Sequence, residues 1–200
     1  MKPARVDPRI LRTRLALRGS LAALLRERGF EDLTLNEIAA ASGLNRATIY
    51  KHFPDKFALL DDLVTDEFQR RLVEVTSGGA WSGSEKLAAV IAAACQSVEW
   101  VESIGRTDDR LLRPIAEARL RALLTQVVEF GLAEKLVLAV GRRDLAAAMA
   151  GAAIYGAAQA WPQQRGKKLA GYVAGVIEGL RGILAPNPGP PSRSRRQLAF

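Results

Sequence analysis

The chain has one cysteine, Cys95, and one histidine, His52, among 200 residues. A lone cysteine excludes an intramolecular disulfide, and with a single histidine beside it no Cys/His zinc site or redox pair can be assembled. Aromatics make up only 6% of the chain. Strand signals are missing too: there is no sustained period-two alternation of β-branched residues and no Asn-Gly or Asp-Gly turn between apolar runs. The first twenty residues carry scattered arginines in place of an uninterrupted apolar segment, so no export signal is expected and a cytoplasmic location is. The longest uncharged run is the 20 residues between Asp144 and Arg165. It holds Gln159, Pro162, Gln163 and Gln164 and is otherwise mostly Ala and Gly, which suits a buried helix better than a bilayer span. No phosphate loop, metal constellation or nucleophile with a base is visible, so neither an enzyme nor a cofactor is expected. The adjacent carboxylates Asp61 and Asp62, and Asp108 and Asp109, read as solvated or capping groups.

What is present is a soluble, globular composition, 48% hydrophobic and 25% charged, long enough to bury roughly 70% of its unfolded surface. The net charge of +8 is unevenly placed: residues 1–57 hold 11 Lys or Arg against 6 Asp or Glu, while residues 58–191 balance at 15 each. Three further arginines lie between Ser192 and Phe200. Concentrated basic charge of this kind points to a polyanionic partner or to a solvated basic surface.

Helical spacing runs almost throughout. Asp7 followed by Pro8 is an N-cap with proline at the first helical position, and Ile10, Leu17, Leu21, Leu24 and Leu25 continue an apolar stripe until Gly29. Thr34 and Glu37 form a T-x-x-E capping box opening a short helix that Ser42 and Gly43 close. Asn45 caps another short helix, which must end near His52 because Pro54 drives Phe53 out of helical angles. Asp55 then caps a longer helix to about Thr76. Beyond a Gly/Ser-rich stretch, where Ser82 and Glu85 offer a second capping box, helices are expected at 84–104, 107–112, from Pro114 to about Val137, 142–161 and 166–184. The proline-rich residues 185–200 are expected to form a disordered basic tail.

Two short helices joined by a glycine turn under a longer first helix form a helix-turn-helix pattern, whose second helix lies in the DNA major groove. Leu44, Ile49 and Phe53 are placed to face Ile38 and Ala39, leaving Arg46, Ala47, Tyr50 and Lys51 outward. Such a face offers donors for base edges and phosphates; an ordinary helical hairpin with a polar outer face remains the alternative.

Leu33-Thr-Leu-Asn-Glu-Ile-Ala-Ala-Ala-Ser-Gly-Leu-Asn-Arg-Ala-Thr-Ile-Tyr-Lys-His-Phe-Pro-Asp-Lys-Phe-Ala-Leu-Leu60 resembles the DNA-binding segment of TetR-type (TetR/AcrR) transcriptional regulators. Threonine, Glu-Ile-Ala, an Ala/Ser-Gly turn, a Tyr-x-x-Phe pair, Lys and Leu-Leu occur in order and at matching spacing, and with the first helix the resemblance covers about residues 8–70. It departs from the pattern where Ala47 replaces a frequent glycine and Phe57 a usual acidic residue. The resemblance implies an all-α protein with a three-helix DNA-binding domain over residues 8–56 and a helical effector-binding and dimerisation domain over 57–184, linked through the fourth helix. By position it implies that Thr34, Asn45, Arg46, Ala47, Thr48, Tyr50, Lys51, His52 and Lys56 line the double-stranded DNA operator, Lys56 as a point charge on the backbone. A basic arm with Lys2, Arg5, Arg9, Arg12 and Arg14 is either a further contact or solvated.

In the second part, Gly171, Gly175 and Gly179 recur every four residues, and Ala150, Ala153 and Ala157 lie on the preceding helix. Rows of small residues allow close helix approach, either inside one subunit or, as the resemblance implies, in a four-helix homodimer interface. Gln96, Trp100, Phe130, Tyr155 and Gln159 are candidates for an effector pocket suited to an apolar or aromatic small molecule, although aromatics at helical spacing also simply fill cores. Cys95 reads as an inert buried thiol. The function the resemblance implies is a homodimeric DNA-binding repressor released by a small effector that shifts the fourth helix. An effector-dependent activator, a helical enzyme or a membrane-associated protein are the alternatives.

Overall fold

A computed structural model describes residues 7–76, 83–105, 109–129, 143–164 and 166–184, with the side chains of 143, 146 and 181–184 left aside. Among these residues there are only helices and connecting turns: α1 (Pro8–Glu27), α2 (Leu35–Ala41), α3 (Arg46–His52), α4 (Lys56–Thr76), α5 (Gly83–Ile104), α6 (Leu112–Val127), α7 (Arg143–Ala160) and α8 (Leu169–Leu184). Short 3-10 turns occupy Phe30–Asp32 and Trp161–Gln163. The expected all-α class is the one observed.

The boundaries of the first four helices follow from local chemistry. The Asp7 carboxylate accepts the Arg9 amide at 2.8 Å, and α1 continues until Arg28 turns extended. Thr34 and Glu37 complete both halves of the capping box. Gly43 closes α2 with φ of +70°, a conformation that a side chain disfavours. The Asn45 side chain accepts the Ala47 amide at 2.8 Å, and Asp55 accepts the Ala58 amide at 2.7 Å. Each such cap contributes about 1 kcal/mol. Together they hold α2 and α3, which at seven residues are too short to persist alone.

Leu17, Leu21 and Leu25 of α1 meet Phe30, Ile38, Ile49, Leu59 and Leu60 in a core that continues into the second part through Phe68. The long α4 packs against α1 on one side and against α5 and α6 on the other. Arg14 and Arg18 of α1 both bind the Asp62 carboxylate, at 2.5 and 3.2 Å, and Arg18 also reaches Asp66 at 2.9 Å. Asp62 is thus a structural partner and not a solvated group, and Arg14, which also stacks over Phe53, is tied inward instead of extending a basic arm. Lys2 and Arg5 lie outside the described residues.

The second part departs from the sequence expectation at several points. α6 starts at Leu112, two residues before Pro114, because Asp109 accepts the Leu111 and Leu112 amides at 3.1 and 2.9 Å; proline in the first turn then removes no helical hydrogen bond. No helix occupies 109–111. The remainder of the helix expected near 107–112, residues 130–137 of the helix expected to run to Val137, the Ser82 capping box and the tail from 185 all lie outside the described residues. α8 begins at Leu169. Among the described residues one helix, α5, is long and apolar enough to cross a membrane, and its Leu87, Val90, Ile91, Ala94 and Cys95 are buried in the core. The Leu145 to Trp161 run does not meet that description.

Candidate nucleic-acid interface and regulatory cavity

The face of α3 is sorted as its periodicity predicts. Ile49 is fully buried with Ile38 and Ala39, Phe53 closes the same cluster, and Leu44 packs at its edge. Arg46, Ala47, Tyr50 and Lys51 are exposed, Tyr50 by 46%. The Arg46 guanidinium sits 5.7 Å from the Tyr50 ring centre, so a planar cation and a phenol share one exposed ridge, with no ion pair between α3 and an acidic side chain among the described residues. Ala47 beside them leaves backbone close to whatever meets this surface. Thr48 and His52 are half-buried at its margins.

Two other expected contact residues are engaged in caps. The Thr34 hydroxyl donates to Glu37 Oε2 at 2.7 Å and accepts the Glu37 amide at 3.2 Å. Bonds from Thr34, with Arg28 beside it, hold the Glu37 carboxyl down at about 2. Asn45 uses its carbonyl oxygen on Ala47.

Lys56, expected as a point charge on the DNA backbone, is bonded inward. Its Nζ donates to the carbonyl oxygens of Phe30, Glu31 and Leu33 at 2.8, 2.9 and 2.9 Å. It also lies 4.9 Å from the Phe30 ring centre and 5.8 Å from that of Phe57. An ammonium has three N–H donors, and all three are used, so Lys56 clamps the 3-10 turn and has no donor left for a phosphate. Phe57, 45% exposed, packs its ring edge against Phe30 at 5.5 Å, which explains an aromatic residue at the start of α4.

The same turn is held from the other side by a residue that sequence reasoning placed only among solvated or capping carboxylates. Asp109, 8% exposed, accepts the Phe30 amide at 2.6 Å with Oδ2 while Oδ1 caps α6. One buried carboxylate therefore joins the helix-turn-helix part to the first turn of α6. A second link runs from α6 to α4, where Arg119 donates to the Thr65 hydroxyl at 2.9 Å and pairs with Asp61 at 3.4 Å. No sequence signal ties residues so far apart in the chain.

A cavity of about 360 Å³ lies among α5, α6 and the end of α7. Tyr155 and Gln159, both expected there, line it with Glu102, Arg113, Glu117 and Gln163; Val98, Val101 and Leu120 supply the apolar part. Glu117 pairs with Arg121 at 3.3 Å, and the Arg121 guanidinium stacks 4.6 Å from the Tyr155 ring centre. Burial, then the Glu117 charge, pushes the Tyr155 hydroxyl up to about 12. The other expected pocket residues are elsewhere. Gln96 and Trp100 line a shallow groove between α4 and α5, where Arg71 stacks over the indole at 5.8 Å, and Phe130 lies outside the described residues. Cys95 is fully buried, and desolvation pushes its thiol up to about 12, so it stays protonated and unreactive.

The expected interface row on α7 also shifts. Ala150 is buried inside the subunit, and next to it Gly151 lies against Thr125 of α6 so closely that a Cβ would sit 2.8 Å from the Thr125 hydroxyl. Ala153 packs at the core edge, and the Ala157 carbonyl accepts the Tyr172 hydroxyl at 2.6 Å. The exposed row on α7 is Leu145, Met149, Ala152 and Gly156. Beside it on α8, Gly171, Gly175 and Gly179 are exposed, and a Cβ at any of them would meet nothing within 4 Å.

A capped pair of short helices with an exposed second helix on an all-helical body defines a helix-turn-helix protein. Residues 20–63, which span the helix-turn-helix part of the chain, match the family model described as bacterial regulatory proteins, tetR family. A curated relative, the uncharacterized HTH-type transcriptional regulator YxbF of Bacillus subtilis (strain 168), is 34% identical over 47 residues, which are 24% of this chain and 12% of that protein. The chain thus matches about an eighth of that relative's length. Solved structures share the fold. A protein of Syntrophomonas wolfei assigned to the TetR family of transcriptional regulators has a TM-score of 0.56 at 16% identity, covering 86% of this chain and 94% of its own. A TetR-family transcriptional regulator of Pectobacterium atrosepticum has a TM-score of 0.52 at 22% identity, covering 90% and 98%. The fatty acid degradation regulator FadR of Bacillus halodurans has 0.51 at 19%, covering 86% and 94%.

Proposed function

We propose that the protein is a homodimeric, DNA-binding transcriptional repressor that places α3 of each subunit in successive major grooves of a near-palindromic operator and is released by a small effector. The observation that carries this reading is the sorted face of α3, with Ile49 buried and Arg46, Tyr50 and Lys51 exposed beside Ala47. Arg46 and Lys51 supply donors for guanine edges or phosphates, and Tyr50 reaches the backbone. Thr34 and Asn45 act by holding the starts of α2 and α3, Thr48 and His52 flank the groove, and Lys56 acts by fixing the turn that orients the head. The dimer forms through α7 and α8 in a four-helix contact: Leu145 and Met149 provide exposed apolar surface, and the α8 glycines, idle within one subunit, admit a close partner.

Release needs an effector that binds better to a conformation with low DNA affinity. α6 is suited to report occupancy, because Arg113 and Glu117 line the cavity on the same helix that Asp109 caps while gripping the Phe30 amide. A shift of α6 pulls on the turn that Lys56 also holds, and so moves α4 and the head together.

The test is selection of duplexes from a random pool by the purified protein at one fixed salt concentration, followed by sequencing. An enriched palindrome is the expected result. Absence of enrichment by folded protein would overturn the repressor reading.

A further inference from the structure

On the reading that the cavity among α5, α6 and α7 is the regulatory site, we infer that its effector is a small zwitterion, of the amino-acid type, and not an apolar or aromatic compound. The observation is a charge arrangement. Glu117 is neutralised by Arg121 at 3.3 Å. That leaves Glu102 on α5 and Arg113 on α6, opposite charges that line the same cavity and form no ion pair with each other or with any other side chain among the described residues. Two unlike charges that line one cavity without pairing with each other match a ligand with both a carboxylate and an ammonium, since each end then gains a charge-assisted hydrogen bond. Arg113 offers the planar fork that suits a carboxylate, and Glu102 accepts from an amine.

The rest of the lining agrees. Gln159 and Gln163 add amide donors and acceptors, and the buried Tyr155 hydroxyl stays protonated as a hydrogen-bonding group. The apolar side chains lining it are Val98 and Val101 of α5 and Leu120 of α6. A long acyl chain entering this space would strip water from Glu102, Arg113 and both glutamines and return no hydrogen bonds, which costs affinity. A zwitterion replaces that water with partners of the right sign at each end.

A matched set of probes separates the classes: 6-aminohexanoate, hexanoate and hexylamine, which share one chain and differ in charge, together with the common L-amino acids and decanoate. Binding to the full chain is read by calorimetry and by the rise in Tm. The expected result is that at least one zwitterion binds about tenfold or more tightly than its singly charged counterparts, the low end of what a charged hydrogen bond supplies at a solvent-open site. Arg113→Ala should abolish the advantage over hexylamine, and Glu102→Gln the advantage over hexanoate; both residues are exposed, so both variants should fold. Decanoate or hexanoate binding as well as any zwitterion, or no zwitterion binding at all, would overturn the inference. Operator release by decanoate would leave the repressor reading standing while removing the zwitterion. Zwitterion binding by a protein that selects no DNA would do the reverse.

Discussion

The helix-turn-helix head and the helical body handle their polar side chains in opposite ways. In the head, a set of polar groups is committed to the backbone: Thr34, Glu37, Asn45 and Asp55 hold helix starts, and Lys56 holds three carbonyls. On α3, by contrast, Arg46, Tyr50 and Lys51 face outward. In the body, charges pair along helices or between them, as Arg70 does with Glu67 and Arg121 with Glu117, while Glu102 and Arg113 line a cavity and Leu145 and Met149 lie exposed on α7. The lesson is that basic charge alone does not mark a DNA contact. Lys56 and Arg46 are both cations of the head, but one is consumed by the fold and the other is free, and only the second kind can be given to a ligand without loss of structure.

That contrast is broken or sharpened most strongly at Lys56. Lys56→Met removes three charge-assisted hydrogen bonds and leaves three carbonyls around the turn to find water, so stability should fall by about 2–4 kcal/mol, measured by urea unfolding. A variant as stable as the parent but weaker on DNA would return Lys56 to the binding surface. Met149→Glu tests the body's idle face in the same way. Met149 is half exposed in one subunit, so the fold should hold while the dimer weakens by about 2 kcal/mol or more, because an unpaired carboxylate is placed in an apolar contact on both sides of a two-fold axis. Sedimentation would show monomer at concentrations where the parent is dimeric; an unchanged dimer would move the interface elsewhere.

Arg46→Ala gives the mirror image of Lys56→Met. With no ion pair to lose, its effect on stability should be within about 0.5 kcal/mol, while operator affinity should fall by about 1–3 kcal/mol, the range for a direct base contact. Unchanged affinity in the folded variant would mean that the outward face of α3 is not the one that meets DNA.

The head was legible because its signals are local. Asp7-Pro8, Thr34 to Glu37, Gly43, Asn45 and Phe53-Pro54 each act within four residues, and each sits where its chemistry placed it. The inward bonds of Lys56 were not legible because its acceptors are backbone carbonyls 23–26 residues upstream, and backbone carbonyls carry no residue-specific mark. The body was legible as helices but not as faces. α7 is so uniformly Ala and Gly that no polar stripe fixes its rotation, and Ala150 and Ala152 look alike in sequence while one is buried and the other exposed. Likewise, helical spacing brought Tyr155 and Gln159 to one cavity but could not show that Gln96 and Trp100 turn toward α4 instead.

The smallest effect belongs to the capping box, and it concerns pH. The Glu37 carboxyl is held at about 2 by bonds from Thr34 and by Arg28, below its ordinary value near 4.5. A carboxyl depressed by folding contributes stability that is fully present above its unfolded pKa and is lost as pH falls through the folded one. The box should therefore be intact above about pH 4.5 and open progressively toward pH 2. Because the pair is at the surface, added salt should shrink the part of this effect that comes from Arg28 and leave the part from the Thr34 hydroxyl and amide. An NMR titration following the Glu37 carboxyl carbon and the Thr34 amide should show both moving together with a midpoint near 2. A carboxyl midpoint at the ordinary value, with the Thr34 amide unmoved, would mean that α2 is held by packing on Ile38 and Ala39 alone. The head would then owe less to its committed polar groups than its contrast with the body implies.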